Sequence, residues 1–187
     1  MSTEEEKCMS FDRAFYNYGR FHANPINKAI HMVFIPVIMI TFGIFAASWM
    51  PNTEVNDHTI TIGPYALSIV FSIVYMMVDF KTGLFFFAWT IPGAEFCSQV
   101  YLSNGEIGGF TFWQLAIYCH IFGWISQFIG HGIFEKRAPA LVSNLFYTLL
   151  APFFVTFEVL NLFGYKEGAE MDKLYAKIDE DIRNFHG

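Results

Sequence analysis

Four runs of largely apolar residues, at 25–49, 60–80, 84–102 and 110–134, follow one another with only short polar gaps. Each is about as long as a helix needs to cross ~30 Å of hydrocarbon at 1.5 Å per residue. A helix also satisfies its own backbone hydrogen bonds, which lipid cannot do for it. The sequence therefore predicts an all-α integral membrane helical bundle with four transmembrane helices. A fifth apolar stretch, 140–165, is interrupted by Asn144, Pro152, Glu158 and Asn161, and is predicted to be broken, re-entrant or interfacial. Charged residues make up only 15% of the chain, against about 25% in soluble domains.

The flanks read as amphipathic helices. Residues 9–21 place Phe11, Phe15 and Tyr18 at helical spacing, and the tail at 166–187 does the same with Met171, Leu174, Tyr175, Ile178 and Ile182. Asn24 is the expected N-cap of the first span, with Pro25 at its first position, where a missing N–H does no harm. Pro36 is expected to bend that span. Pro92-Gly93, with Glu95 and Gln99 nearby, predicts either two half-helices or a kink in the third. The whole chain, 1–187, reads as one membrane domain.

Lys and Arg occur at Lys7, Arg13, Arg20, Lys28, Lys81, Lys136 and Arg137, and are absent from 51–59 and 103–109. That alternation predicts four spans with a cytosolic N-terminus. The acidic start MSTEEEKC lacks the features of a cleaved signal, so the first span is expected to act as an uncleaved anchor. A net charge of −6 without a basic block argues against nucleic acid as a partner. Cys8, Cys97 and Cys119 have no CxxC spacing and imply neither a disulfide framework nor a zinc ribbon. Self-association is left open.

Chemistry is concentrated in the histidines. His22 and His31 lie in FHANPINKAIH, and His120 and His131 in HIFGWISQFIGHGIFEKRAPAL, where apolar runs meet polar flanks. Imidazole is the commonest protein ligand for redox-active metals, and a polar side chain inside a membrane is costly to bury. His120 and His131 share a helix face but stand ~16 Å apart along a straight helix, so they cannot share one ion unless the helix breaks at Gly123 or Gly130. Antiparallel packing would bring His22 level with His131 and His31 toward His120. That leaves two arrangements: an elongated two-metal site, or one metal with supporting groups.

Glu135 follows His131 by one turn, and Gln127 precedes it by one turn, on the same face. Two histidines and a carboxylate form a set that holds ferrous iron with open positions. Gln127 suits the orientation of an imidazole or a carboxylate, and Lys136 and Arg137 suit an amphipathic acid. The competing readings are plainer. Each histidine could be a hydrogen-bonded structural residue, Glu135 an ordinary ion-pair partner, and Glu95 and Glu158 caps for broken backbone. His58 and His186 read as solvated.

The pair of patterns HxNPxNxxxH (22–31) and QFxGHxxFExxxPAL (127–141) resembles the yeast-type endoplasmic-reticulum 2-hydroxy-fatty-acid dioxygenases, long filed as a domain of unknown function. The resemblance covers about residues 11–165. It implies Fe(2+) and O2 acting on a 2-hydroxy fatty acid to give an acid one carbon shorter, in sphingoid-base catabolism. It also implies an endoplasmic-reticulum membrane location, and it carries the metal-ligand role onto His22, His31 and His131, with His120 a fourth candidate. Glu135 and Gln127 would then be catalytic and Lys136 and Arg137 substrate-binding. Rival classes are another membrane iron lipid oxidase, whose usual HxxxH and HxxHH clusters are absent, and a non-enzymatic scaffold or transporter with structural histidines.

Overall fold

The computed structural model describes residues 11–136 and 148–186, and they are mainly helical. Helix α1 (Phe11–Gly19) runs into a non-helical turn. Helix α2 (Pro25–Ala46) then starts as the sequence predicts: Asn24 is its N-cap, and its side chain accepts from the backbone N–H groups of Ile26 and Asn27. After α2 a hairpin of β1 (Asn52–Val55) and β2 (His58–Thr61) replaces the expected loop. Its two-residue turn, Asn56-Asp57, has positive φ at both positions, as the tightest hairpin connection requires.

Helices α3 (Ile62–Val78) and α4 (Phe80–Ser103) form an antiparallel pair joined at the single extended residue Asp79. Gly83 permits the close approach, because a Cβ there would overlap the backbone of Met76. Of the two readings at Pro92-Gly93 the half-helices are absent: α4 runs continuously through it, with Pro92 inside the helix. Proline removes one N–H from the ladder. Two hydroxyls bond carbonyls on either side of the one it frees, that of Ala88: Thr90 donates to the Phe86 carbonyl at 2.8 Å and Ser68 of α3 to the Thr90 carbonyl at 3.1 Å.

A second small hairpin, β3 (Glu106–Ile107) and β4 (Phe110–Thr111), turns at Gly108-Gly109, both at positive φ. Helix α5 (Phe112–Ile129) starts on a capping box between Thr111 and Gln114. It ends in a π-helical turn, Gly130–Glu135. Helix α6 (Ala151–Asn161) has 11 residues, a rise of only ~16 Å, which is too short to cross a bilayer by itself. Helix α7 (Ala169–His186) packs on α1, burying Met171 and Ile178 and pairing Asp181 with Arg20 at 2.9 Å.

The largest core is aromatic. Phe11, Phe15 and Tyr18 of α1 meet Phe153, Phe154 and Phe157 of α6, with Tyr75 and Phe86 beneath them. Helices α2 and α5 pack closely at Gly123, which faces Ile38. Both hairpins lie at one end of the helices, and the Asn24 turn and the π turn at the other. Outward faces remain apolar: Val70 and Met77 of α3 are 58% and 69% exposed, and Phe122 of α5 is 60% exposed. Among the described residues, α2 is the helix long and apolar enough to cross a membrane by length and composition.

Candidate metal centre

His22, His31 and His131 meet at the hairpin-free end. All three are buried, and one ring nitrogen from each lies within 4.8 Å of the others. Their ring centroids are 4.5, 4.8 and 5.0 Å apart, and the rings are nearly perpendicular to one another. Helix register explains the grouping. Thr41 of α2 faces His120 of α5 at 2.8 Å and Ile38 faces Gly123, so this antiparallel pair sets residue 31 opposite residue 131. His31 thus stands level with His131 instead of with His120. His22 joins them from outside the helices, carried over by the turn at Asn24.

Two of the imidazoles have fixed tautomers. His22 Nδ1 lies 2.8 Å from the Tyr18 carbonyl and His31 Nδ1 lies 2.9 Å from the Asn27 carbonyl. A carbonyl only accepts, so each Nδ1 carries the proton and each Nε2 presents a lone pair. The two Nε2 atoms face each other at 3.1 Å. Burial first, then the neighbouring His31 and His131, hold the His22 pKa well below its ordinary value, which favours the neutral ring. Two lone pairs at that separation repel unless a cation lies between them.

The His22–His31 spacing fits such a cation, whereas the 4.8 Å spread of the three ligand nitrogens requires the His131 ring to shift inward to share it. Metal–imidazole bonds of about 2.0–2.1 Å put two nitrogens on one ion ~3.0–3.4 Å apart at angles between 90° and tetrahedral. His131 adds a buried Nδ1 that has no hydrogen-bond partner among the described residues. Three neutral nitrogens on one side would leave other coordination positions open, the pattern of a catalytic site more than of a closed structural one.

Glu135 is buried, but its carboxylate points at the Asn24 turn. Oε1 accepts from the Ala23 N–H at 3.1 Å, and Oε2 accepts from the Asn24 N–H at 3.0 Å and Asn27 Nδ2 at 3.2 Å. Asn24 returns the tie by donating to the Phe134 carbonyl. The π turn therefore presents His131 to the metal side and Glu135 to the loop that carries His22. Gly130 makes room for this: a Cβ there would overlap Asn27 Oδ1.

The remaining predicted residues fall in different places. Gln127 is buried beneath His131, with neither amide atom hydrogen-bonded. His120 stands apart from the group. Its ring nitrogens are engaged by Thr41 Oγ1 and by Trp124 Nε1, the latter at 3.0 Å. Lys136 is exposed just past the π turn, and Arg137 lies outside the described residues. Glu158 pairs with Lys28 at 3.2 Å, and the Glu95 carboxylate bonds Tyr65 and Gln99 far from the histidines.

Sequence reasoning assigned no role to Asn27 or Tyr18. Asn27 is fully buried and links the Phe21 carbonyl, Glu135 and His31. The signal was its place four residues before His31 in HxNPxN. Tyr18 lies flat between His22 (3.9 Å) and Phe154 (4.2 Å) in a three-ring stack. Burial, followed by the charges of Glu158 and Glu135, pushes its phenol pKa well up, so it stays a protonated donor.

A mainly helical bundle with three buried histidines gathered at one end has the donors to hold a metal ion, and sequence comparison assigns the family. The chain belongs to the family described as 2-hydroxy-palmitic acid dioxygenase Mpo1-like, which matches residues 8–162. It is 36% identical over 172 residues to the 2-hydroxy-palmitic acid dioxygenase MPO1 of Saccharomyces cerevisiae, covering 90% of this chain and 86% of that protein. No solved structure matches the chain.

Proposed function

We propose that this protein is an Fe(II)-dependent dioxygenase of the membrane, converting 2-hydroxy fatty acids to acids one carbon shorter. The observation that carries the reading is the pair of neutral Nε2 atoms facing each other at 3.1 Å, with His131 beside them. It occurs in a chain whose yeast relative is a 2-hydroxy-palmitic acid dioxygenase. A scaffold would have no use for two opposed lone pairs in a buried site.

Bound iron would supply the activation of O2 and a Lewis-acid seat for the substrate's hydroxyl and carboxylate oxygens. The chain supplies the rest. Tyr18 and Asn27 fix the ligand tautomers through their carbonyls, and Glu135 holds the His22 turn against the π turn. Gln127 offers an unpaired amide beneath His131. Burial of all three histidines excludes bulk water from the reacting centre. Cleavage falls between the carboxyl carbon and the carbon bearing the hydroxyl, and the stoichiometry closes with O2 consumed and CO2 and water released.

A bilayer suits both ends of such a substrate: the acyl chain dissolves in lipid while the acid stays at the interface. The exposed apolar faces of α3 and α5 support four spans, since water would not tolerate so wide a surface. Helix α6 then covers the site from the side without crossing. Lys28, Lys81, Lys136 and Lys166 lie at the histidine end and neither hairpin carries a Lys or Arg, which supports a cytosolic site and N-terminus, in the endoplasmic reticulum.

The test is anaerobic purification in detergent, loading with ferrous iron, and mass spectrometry for pentadecanoic acid made from 2-hydroxypalmitate under O2. Product is expected with iron and not without it, and not from His131→Ala. Stoichiometric iron without product would refute the substrate. Turnover undiminished by chelation would refute the metal.

A further inference from the structure

A 2-hydroxy acid carries a negative charge that the three neutral histidines do not match. Among the described cations at this end, Arg20 is paired with Asp181 and Lys166 with Asp79, both on the side of α7. Arg13, Lys81, Lys136, Lys173 and Lys177 are exposed. Lys28 is placed differently. It lies on α2 one turn before His31, where side chains three apart are neighbours on the helix surface. Its charge acts on the His22 ring.

Its partner is unusual. Glu158 sits on α6 among Phe153, Phe154 and Phe157, with its side chain only 12% exposed, and meets Lys28 at 3.2 Å. Lys28 is half-buried, and partial desolvation of the two charges offsets their attraction, so the pair is poor evidence of stability. An ammonium has three N–H donors, and one carboxylate does not exhaust them. A second, independent observation lies alongside. The Tyr18 hydroxyl is buried, has no hydrogen-bond partner among the described residues, and feels the charge of Glu158, while its ring lies flat on His22. An O–H donor beside a metal ligand, with nothing to donate to, is a vacancy for an anionic oxygen.

We propose that Lys28 and the Tyr18 hydroxyl form the seat for the substrate carboxylate, with Glu158 as the built-in competitor that holds Lys28 until the acid arrives. The assignment rests on the fatty-acid reading above. It replaces the exposed Lys136 by a cation at the site itself, and explains why an apolar helix keeps a carboxylate. Lys28, in the first turn of α2, stands at the depth where an acid head group would rest with its chain in lipid.

Thermal shift of the metal-free protein in detergent tests the seat, with palmitate and hexadecanol as probes: the same chain with and without the charge. Lys28→Met is expected to weaken palmitate at least tenfold and leave hexadecanol unchanged. Tyr18→Phe should weaken palmitate severalfold, and Glu158→Gln should tighten it. In the iron-loaded enzyme, Lys28→Met should raise KM for 2-hydroxypalmitate with little change in kcat, and Lys28→Arg should restore most of it. If Lys28→Met and Glu158→Gln weaken both probes alike, the pair is structural and the seat is overturned. Unchanged palmitate affinity in Lys28→Met overturns it too, even if wild-type protein turns over 2-hydroxypalmitate. The fatty-acid reading itself falls only if the wild-type enzyme makes no product.

Discussion

Replacing Glu135 by Gln separates a residue that positions a ligand from one that is a ligand. The carboxylate takes three donors, the N–H groups of Ala23 and Asn24 and the Asn27 amide, at 3.0–3.2 Å. A glutamine can keep its oxygen toward Asn24 and Asn27, but its NH2 then confronts the Ala23 N–H. One charge-assisted bond is lost outright, at about 1.5–3 kcal/mol, and the other two lose their charge assistance, at roughly 0.5–1 kcal/mol each. The expected destabilisation is therefore about 2.5–5 kcal/mol, large for one near-isosteric change.

Part of that loss should reach the metal, because the loosened turn carries His22. Partners that orient metal ligands are typically worth 10–100-fold in affinity. We expect Glu135→Gln to bind Co(II) or Zn(II) about 10–100-fold more weakly, still at the wild-type stoichiometry when saturated. The decisive readout is the visible ligand-field spectrum of the Co(II) protein at saturation. It should be unchanged, since three imidazoles still define the site. A shifted spectrum with unaltered thermal stability would make Glu135 a ligand and refute the clamp.

Three further perturbations probe the same frame. Gly130→Ala places a methyl against Asn27 Oδ1, which is fully buried and cannot retreat, so about 1–3 kcal/mol of stability and some metal affinity should be lost in denaturation and titration; a neutral outcome would mean that the α2–π contact is loose. His120→Ala should lose about 1–2 kcal/mol with the Thr41 and Trp124 bonds yet bind metal at the same stoichiometry, and a halved stoichiometry would reveal a second ion. Asp79, although burial opposes it, is held below the ordinary carboxylate pKa by Lys166, Thr82 and Tyr165. Its stabilising contribution is therefore complete above the unfolded value of about 3.9 and lost as pH falls through the lower folded value. The melting temperatures of wild type and Asp79→Asn should differ at pH 6 and converge toward pH 3; a gap that persists at low pH would remove the charge from the explanation.

Local rules fixed in the sequence carried the reading as far as the pieces. The Asn24-Pro25 start of α2, the amphipathic faces of the terminal helices and the shared face of His131 and Glu135 were legible, because each depends on residues within a turn or two. What escaped depends on how separate helices register. Periodicity put His120 and His131 on one face but could not tell which of them α2 would set against His31. Nor could it show Glu135 turning to the loop, because the widened π turn is a choice of backbone made where Gly130 removes a Cβ. Pro92 left two readings open, and the continuous α4 excludes the half-helices, an outcome that depends on packing against α3, where Ser68 bonds the Thr90 carbonyl.

The three histidines belong to three pieces of chain that nothing local holds together. His22 is anchored on the carbonyl of Tyr18 in α1, His31 on α2, and His131 on the π turn. Helix α1 rests in turn on α6, whose Glu158 reaches Lys28. An ion at their centre would tie α1, α2 and α5 together, and binding to the folded state alone would add RT ln(1 + [L]/Kd) to stability, ~2.7 kcal/mol at a hundredfold excess over Kd. The opposite end of the bundle has no such demand. Its helices are joined by hairpins whose geometry is set locally, by Asn56-Asp57 and Gly108-Gly109. One end of the bundle is thus specified by turns, and the other by long-range contacts that converge on the three histidines, so the candidate site and the weakest local encoding coincide.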